Sequence, residues 1–107
     1  MTRRFASPLV WSWEPVPEVV GLPRISRFYG LSIYMYYRDH LPPHFHVRYA
    51  GQAARFELDS LSLMAGNLPT RAVRLVQEWG AAHREELVAN WDRVRRREPP
   101  SPVAPLE

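Results

Sequence analysis

The sequence predicts an α+β domain: a small antiparallel sheet of three to four strands packed on one long C-terminal helix. Three observations predict it. Leu31, Ile33, Met35 and Tyr37 alternate with Ser32, Tyr34 and Tyr36, the period-two signature of a strand. Two further alternating runs, His44-Phe45-His46-Val47-Arg48-Tyr49 and Ala53-Ala54-Arg55-Phe56-Glu57-Leu58-Asp59, flank Gly51-Gln52 as the arms of a hairpin flank its turn. Ala72, Leu75, Val76, Trp79, Leu87 and Val94 then recur at helical spacing and make one apolar stripe.

A chain of 107 residues, 46% hydrophobic and 23% charged, holds one packed core and has no room for a second domain. Residues 1–22 carry Pro8, Pro15 and Pro17 without a sustained period and read as a poorly ordered extension. Residues 23–98 form the single α+β domain. Residues 99–107, crowded by Pro99, Pro100, Pro102 and Pro105, read as a solvated Pro-rich tail that cannot be helical. The apolar stretch near the start is interrupted by Pro8 and Ser12 and closed by Glu14, so a signal peptide is not expected. No run reaches the ~18 apolar residues of a membrane helix. The expected location is the cytoplasm, with no membrane partner.

Within the domain, the strand at residues 31–37 ends at Asp39-His40-Leu41-Pro42-Pro43. Its adjacent prolines fix two φ angles, remove two donors and make a stiff loop. Gly51, at the first central position of Gly51-Gln52, suits a type II′ turn. A short fourth strand is expected at residues 61–64, with Gly66-Asn67 as its exit. Asn67-Leu68-Pro69-Thr70 opens the helix, placed at about residues 70–97. Gly80 weakens that helix, so packing on the sheet must supply most of its stability.

A turn at Gly51-Gln52 fixes a register. Phe45 then faces Leu58, Val47 faces Phe56 and Tyr49 faces Ala54, an apolar face ready for the helix. The opposite face pairs His44 with Asp59, His46 with Glu57 and Arg48 with Arg55, and brings Tyr34 and Tyr36 alongside. A polar face of this kind is also what any solvated sheet presents, and a histidine beside a carboxylate is a common surface pair.

Two kinds of chemistry fit the same residues. In the first, Glu57 polarises His46 as general acid or base, with His44 and Tyr36 beside it and Arg48 and Arg55 binding phosphate, the parts of a metal-independent ribonuclease without cofactor. In the second, His44 and His46 form a His-x-His metal pair on one strand face, completed by His40, Asp39 or Asp59. The absence of cysteine excludes thiolate nucleophiles and sulfur-ligated zinc. All 14 basic residues are Arg, which excludes Schiff-base and P-loop lysine chemistry and suits carboxylate or phosphate partners. On a continuous helix, His83 falls near the centre of the apolar stripe with Glu86 and Asn90 beside it, a structural polar cluster directed toward the loop around His40. Arg93, Arg95, Arg96 and Arg97 are accounted for by the helix dipole alone.

The segments Pro23-Arg24-Ile25-Ser26-Arg27-Phe28-Tyr29-Gly30 and Asp39-His40-Leu41-Pro42-Pro43-His44-Phe45-His46-Val47, followed by Glu78-Trp79, His83, Glu86-Leu87 and Asn90-Trp91, resemble the small bacterial proteins of domain-of-unknown-function family 4160. The resemblance covers about residues 23–95. It implies a compact α+β domain, often encoded beside another small protein in an arrangement like a toxin–antitoxin pair, and it implies no established reaction. Members usually begin near the Pro-x-Ile-Ser-Arg-Phe segment, so a native start near Val19 or Val20 is expected. Taken together, the leading expectation is a member of such a pair acting on RNA, with a small cognate protein as partner and a homodimer as a further expectation. A non-catalytic binding or regulatory module and a His-ligated metal-dependent hydrolase are the alternatives.

Overall fold

The computed structural model describes residues 23–107, so the N-terminal extension lies outside the described residues. Five strands, β1 (Arg24–Phe28), β2 (Leu31–Tyr34), β3 (His44–Tyr49), β4 (Gln52–Glu57) and β5 (Leu63–Gly66), are followed by helices α1 (Thr70–Ala82) and α2 (Arg84–Arg95). The strands form one antiparallel meander in the order β1-β2-β3-β4-β5. The α+β class is as expected. Strand and helix numbers are not, since the sheet has five strands rather than three or four and two helices replace the single long one.

Each departure has a local cause. A bulge between Arg24 and Ser26 buries the consecutive residues Ile25 and Ser26, which erases the alternation that would reveal β1. The strand expected at residues 61–64 starts two residues later, because Leu61 sits in a turn at φ 61° with its N–H donating to the Glu57 carbonyl at 2.8 Å. Leu61 instead packs on α1. A Cβ on Gly80 would lie 2.7 Å from Leu61 Cδ2, so the glycine that reads as a helix weakness is what allows this close approach.

The helix breaks at His83, whose φ of −124° and ψ of 28° leave the helical region. Its N–H still reaches back to Trp79 and Gly80, and its carbonyl accepts the Leu87 N–H at 3.0 Å to begin α2. The second helix has its own polarity, with Glu85 and Glu86 in the first turn and Arg93 and Arg95 in the last, each sign favoured at that end by the backbone dipole.

The β3–β4 turn is Ala50-Gly51, with φ values of 48° and 81°, the positive pair of a type I′ turn. The register is His44↔Glu57, Phe45↔Phe56, His46↔Arg55, Val47↔Ala54 and Arg48↔Ala53. This corrects the expected pairings of His44 with Asp59, His46 with Glu57 and Arg48 with Arg55. The shift is two residues, so every side chain keeps its expected face. Phe45 and Phe56 stack at 5.7 Å, and the Trp79 ring meets Phe45 edge-on at 5.9 Å. Around them Ile33, Met35, Val47, Val76, Leu87 and Val94 are fully excluded from solvent, and each such apolar side chain contributes about 1.5–3 kcal/mol.

Residues after α2 form no helix, as the prolines require. They are not solvated throughout, however. Val103 is buried, its N–H donates to the Ile25 carbonyl at 2.8 Å beside β1, and Trp79 Nε1 donates to the Ala104 carbonyl at 2.9 Å. Among the described residues, no helix is long and apolar enough to cross a membrane.

Candidate functional site

The loop between β2 and β3 is anchored at both ends. Arg38 turns at φ 55°, and its N–H donates to the Val94 carbonyl in α2 at 3.0 Å. The Pro43 carbonyl accepts the Leu58 N–H at 2.9 Å. Between these anchors Asp39 turns inward, with only 12% of its side chain exposed. The His40 N–H donates to Asp39 Oδ1 at 3.0 Å, which fixes the carboxylate and leaves Oδ2 directed at β3.

Two histidines of β3 meet that oxygen, because alternate residues of a strand share a face. His46 Nε2 lies 2.8 Å from Oδ2 in a hydrogen bond. His44 Nε2 lies 2.9 Å from the same oxygen, but the approach lacks hydrogen-bond geometry and Nε2 is buried without a partner. His44 Nδ1 donates to the Pro42 carbonyl at 2.7 Å. The stiff Pro42-Pro43 step therefore orients this ring from behind, while Trp91 of α2 flanks it at 5.5 Å.

Burial and polar contacts set the charges here. Burial alone would raise the Asp39 pKa, but the His46 hydrogen bond, the nearby His44 and the His40 N–H outweigh it and hold the carboxyl below its usual range. For His46, burial is the larger influence and pushes the imidazole below its usual value against the opposing pull of Asp39. At neutral pH the pair is therefore a neutral imidazole donating to an ionised carboxylate. The other side of the His46 ring arrangement is fixed by Tyr36, which stacks on it at 3.8 Å and 12°.

From His46 a groove of about 370 Å³ runs across the open sheet face, lined by Tyr36, His46, Arg48 and Arg55 over a floor of Ala53, Ala65 and Gly66. Arg48 lies 5.9 Å from the centre of the Tyr34 ring, within cation–π range. The ion pairs found among the described residues include neither Arg48 nor Arg55.

The structure thus brings together His46, His44, Tyr36, Arg48 and Arg55 as expected, but not through Glu57. That carboxylate accepts from Ser60 Oγ in the turn after β4, and Asp39 occupies the place beside His46 that Glu57 was expected to fill. His40, with 74% of its side chain exposed, touches Oδ1 at 3.2 Å and does not converge with the other two histidines. His83 and Glu86 do pair, Nδ1 to Oε1 at 2.6 Å. Asn90 does not join them; it is buried and holds Ser101 of the C-terminal segment through two bonds, Nδ2 to the carbonyl at 2.9 Å and Oδ1 from the N–H at 2.8 Å. The sequence placed Asp39 level with His40 and Asp59 as a third partner; only the folded loop distinguishes it.

A five-stranded antiparallel meander backed by two helices, with an aspartate–histidine cluster where the loop enters β3, defines a small α+β domain whose polar sheet face carries that cluster. The chain belongs to the family described as Domain of unknown function (DUF4160), which matches residues 30–92 and so spans the cluster, the groove and most of both helices. No curated protein and no solved structure matches the chain.

Proposed function

We propose that this protein is an RNA-binding member of a toxin–antitoxin-like pair, acting in the cytoplasm with a small cognate protein encoded nearby. The observation that carries the RNA reading is the pair Arg48 and Arg55, two guanidinium groups that line one groove beside His46 and Tyr36 and form no ion pair with a carboxylate among the described residues. Like charges held together on a surface repel each other, and an anion bridging them removes the repulsion. Guanidinium groups match phosphate oxygens in a two-pronged geometry that lysine lacks. Tyr34 and Tyr36 add aromatic surface along the same face, the combination that single-stranded nucleic acid uses for backbone and bases. The likeness of the Pro-Pro-His-Phe-His segment to the family supports the paired-gene part of this reading.

Fluorescence anisotropy with a short labelled single-stranded RNA, carried out in EDTA, tests the reading. Binding should weaken as salt rises, and the log–log slope should fall by about 0.7 for each arginine removed in Arg48→Ala and Arg55→Ala. A double variant that binds as tightly as the unaltered protein, with the same salt slope, would overturn it.

A further inference from the structure

Asp39, His44 and His46 offer one carboxylate oxygen and two imidazole nitrogens within 4.8 Å of one another. The geometry points to a centre for one first-row divalent metal ion of the zinc(II), cobalt(II) or iron(II) kind, held by an Asp39 carboxylate oxygen, His44 Nε2 and His46 Nε2. This centre goes beyond the RNA reading and does not depend on it.

The tautomer of His44 is the first argument. A carbonyl can only accept, so the 2.7 Å contact with the Pro42 carbonyl places a proton on Nδ1, and the tautomer that ligates a metal, with its lone pair on Nε2, is the one this contact selects. A backbone carbonyl behind the distal nitrogen is also how metal-ligating histidines are commonly oriented. The lone pair lies 2.9 Å from an ionised carboxylate oxygen, an approach of two electron-rich atoms that is favourable only with a cation beside them. His44 is 1% exposed, so water does not relieve it, and Nε2 has no hydrogen-bond partner.

Distances are the second argument. Metal bonds of ~2.0–2.2 Å at tetrahedral or octahedral angles place neighbouring donors about 2.8–3.6 Å apart. Asp39 Oδ2 lies 2.9 Å from His44 Nε2 and 2.8 Å from His46 Nε2; in the metal-free protein the His46 Nε2 proton fills the second of these gaps, and ligation takes the other neutral tautomer, with that proton on Nδ1. The His40 N–H occupies Oδ1, so the carboxylate is held with Oδ2 toward the two rings.

Ligand type selects the ion. Two imidazoles and one carboxylate suit zinc or iron(II), whereas magnesium and calcium favour oxygen-rich shells. Three protein ligands leave positions for water or for a phosphate oxygen reaching in along the groove, which His46 also lines.

Isothermal titration of EDTA-treated, tag-free protein with zinc chloride, repeated with cobalt(II) under visible absorption, tests the centre. One equivalent should bind, cobalt should develop d–d bands, and thermal unfolding should shift upward with zinc. Asp39→Asn and His46→Gln should each weaken binding at least about tenfold, while His40→Ala should retain it. Near-ultraviolet circular dichroism checks that these variants remain folded, and either folded ligand variant suffices for the comparison. Absence of stoichiometric binding, or stoichiometric binding that both ligand variants retain, would overturn the proposal. Because the RNA titration is run in EDTA, failure of one reading is separable from failure of the other.

Discussion

Replacing Asn90 by alanine tests how the C-terminal segment is fixed to the domain. Asn90 is 2% exposed and makes two hydrogen bonds to the Ser101 backbone, at 2.9 and 2.8 Å. At about 1 kcal/mol net for each bond, with a further increment for the lost packing of a buried amide, Asn90→Ala should cost about 2–3 kcal/mol. In a domain of this size that lowers Tm by roughly 10–20 °C. The assay is urea unfolding followed by fluorescence of the buried Trp79 and Trp91, together with limited proteolysis of the tail. Releasing Ser101 also weakens the neighbouring contacts of Val103 with Ile25 and of Ala104 with Trp79, so tail cleavage should accelerate. Asn90→Asp sharpens the test. Its carboxylate can still accept the Ser101 N–H but faces the Ser101 carbonyl without a donor. Burial raises the pKa of such an acid in the folded state. The folded protein then binds more protons than the unfolded chain above about pH 4, and stability falls as pH rises through that window. Asn90→Asp should therefore be less stable than Asn90→Ala at neutral pH and recover on acidification. A loss under about 0.5 kcal/mol for Asn90→Ala, or a stability of Asn90→Asp that ignores pH, would refute the clamp.

The remaining predictions concern the turn and the site. Ala50 holds φ at 48°, a conformation asparagine tolerates better in a type I′ turn, so Ala50→Asn should raise stability by about 0.5–1 kcal/mol in urea unfolding; destabilisation would contradict the turn assignment. In EDTA, the depressed His46 pKa, caused first by burial, means that the folded state binds fewer protons than the unfolded chain as pH falls below about 6.5. That contribution is fully present above this pH and is lost as pH drops toward the folded-state value. His46→Gln should flatten the dependence, and an unchanged slope would count against a neutral, buried His46.

How much of this was legible in the sequence follows from the geometry of each element. Side chains in a strand alternate with period two, so a register error of two residues preserves faces and exchanges partners. That is what separates the expected turn at Gly51-Gln52 from the observed Ala50-Gly51. The grouping of Tyr36, His44, His46, Arg48 and Arg55 on one face survives, while the His46–Glu57 pairing does not. Turn propensity alone favours glycine at the first positive-φ position, and alanine there is an unfavourable choice. The observed register nonetheless places Phe45 directly across from Phe56 with the rings stacked, and aromatic packing in the core outweighs a turn preference of about 1 kcal/mol. Periodicity likewise carries a helical stripe across His83 as if α1 and α2 were one helix, which is why Asn90 was expected beside His83 and not at the tail.

Asp39 marks the limit of this kind of reading for a different reason. It lies in a loop with adjacent prolines, where no period relates a residue to a face. Its position is set by contacts remote in sequence: Arg38 bonds to the end of α2, and Pro43 bonds to Leu58 beyond β4. Once those anchors are formed, the carboxylate has one inward direction, and among the described residues the strand side chains it meets are the two histidines of the His-x-His pair. The His-x-His pair is thus a local property of β3, whereas the third donor is a property of the fold. Any substitution that frees Arg38 from α2 should disperse the cluster without altering a residue in it.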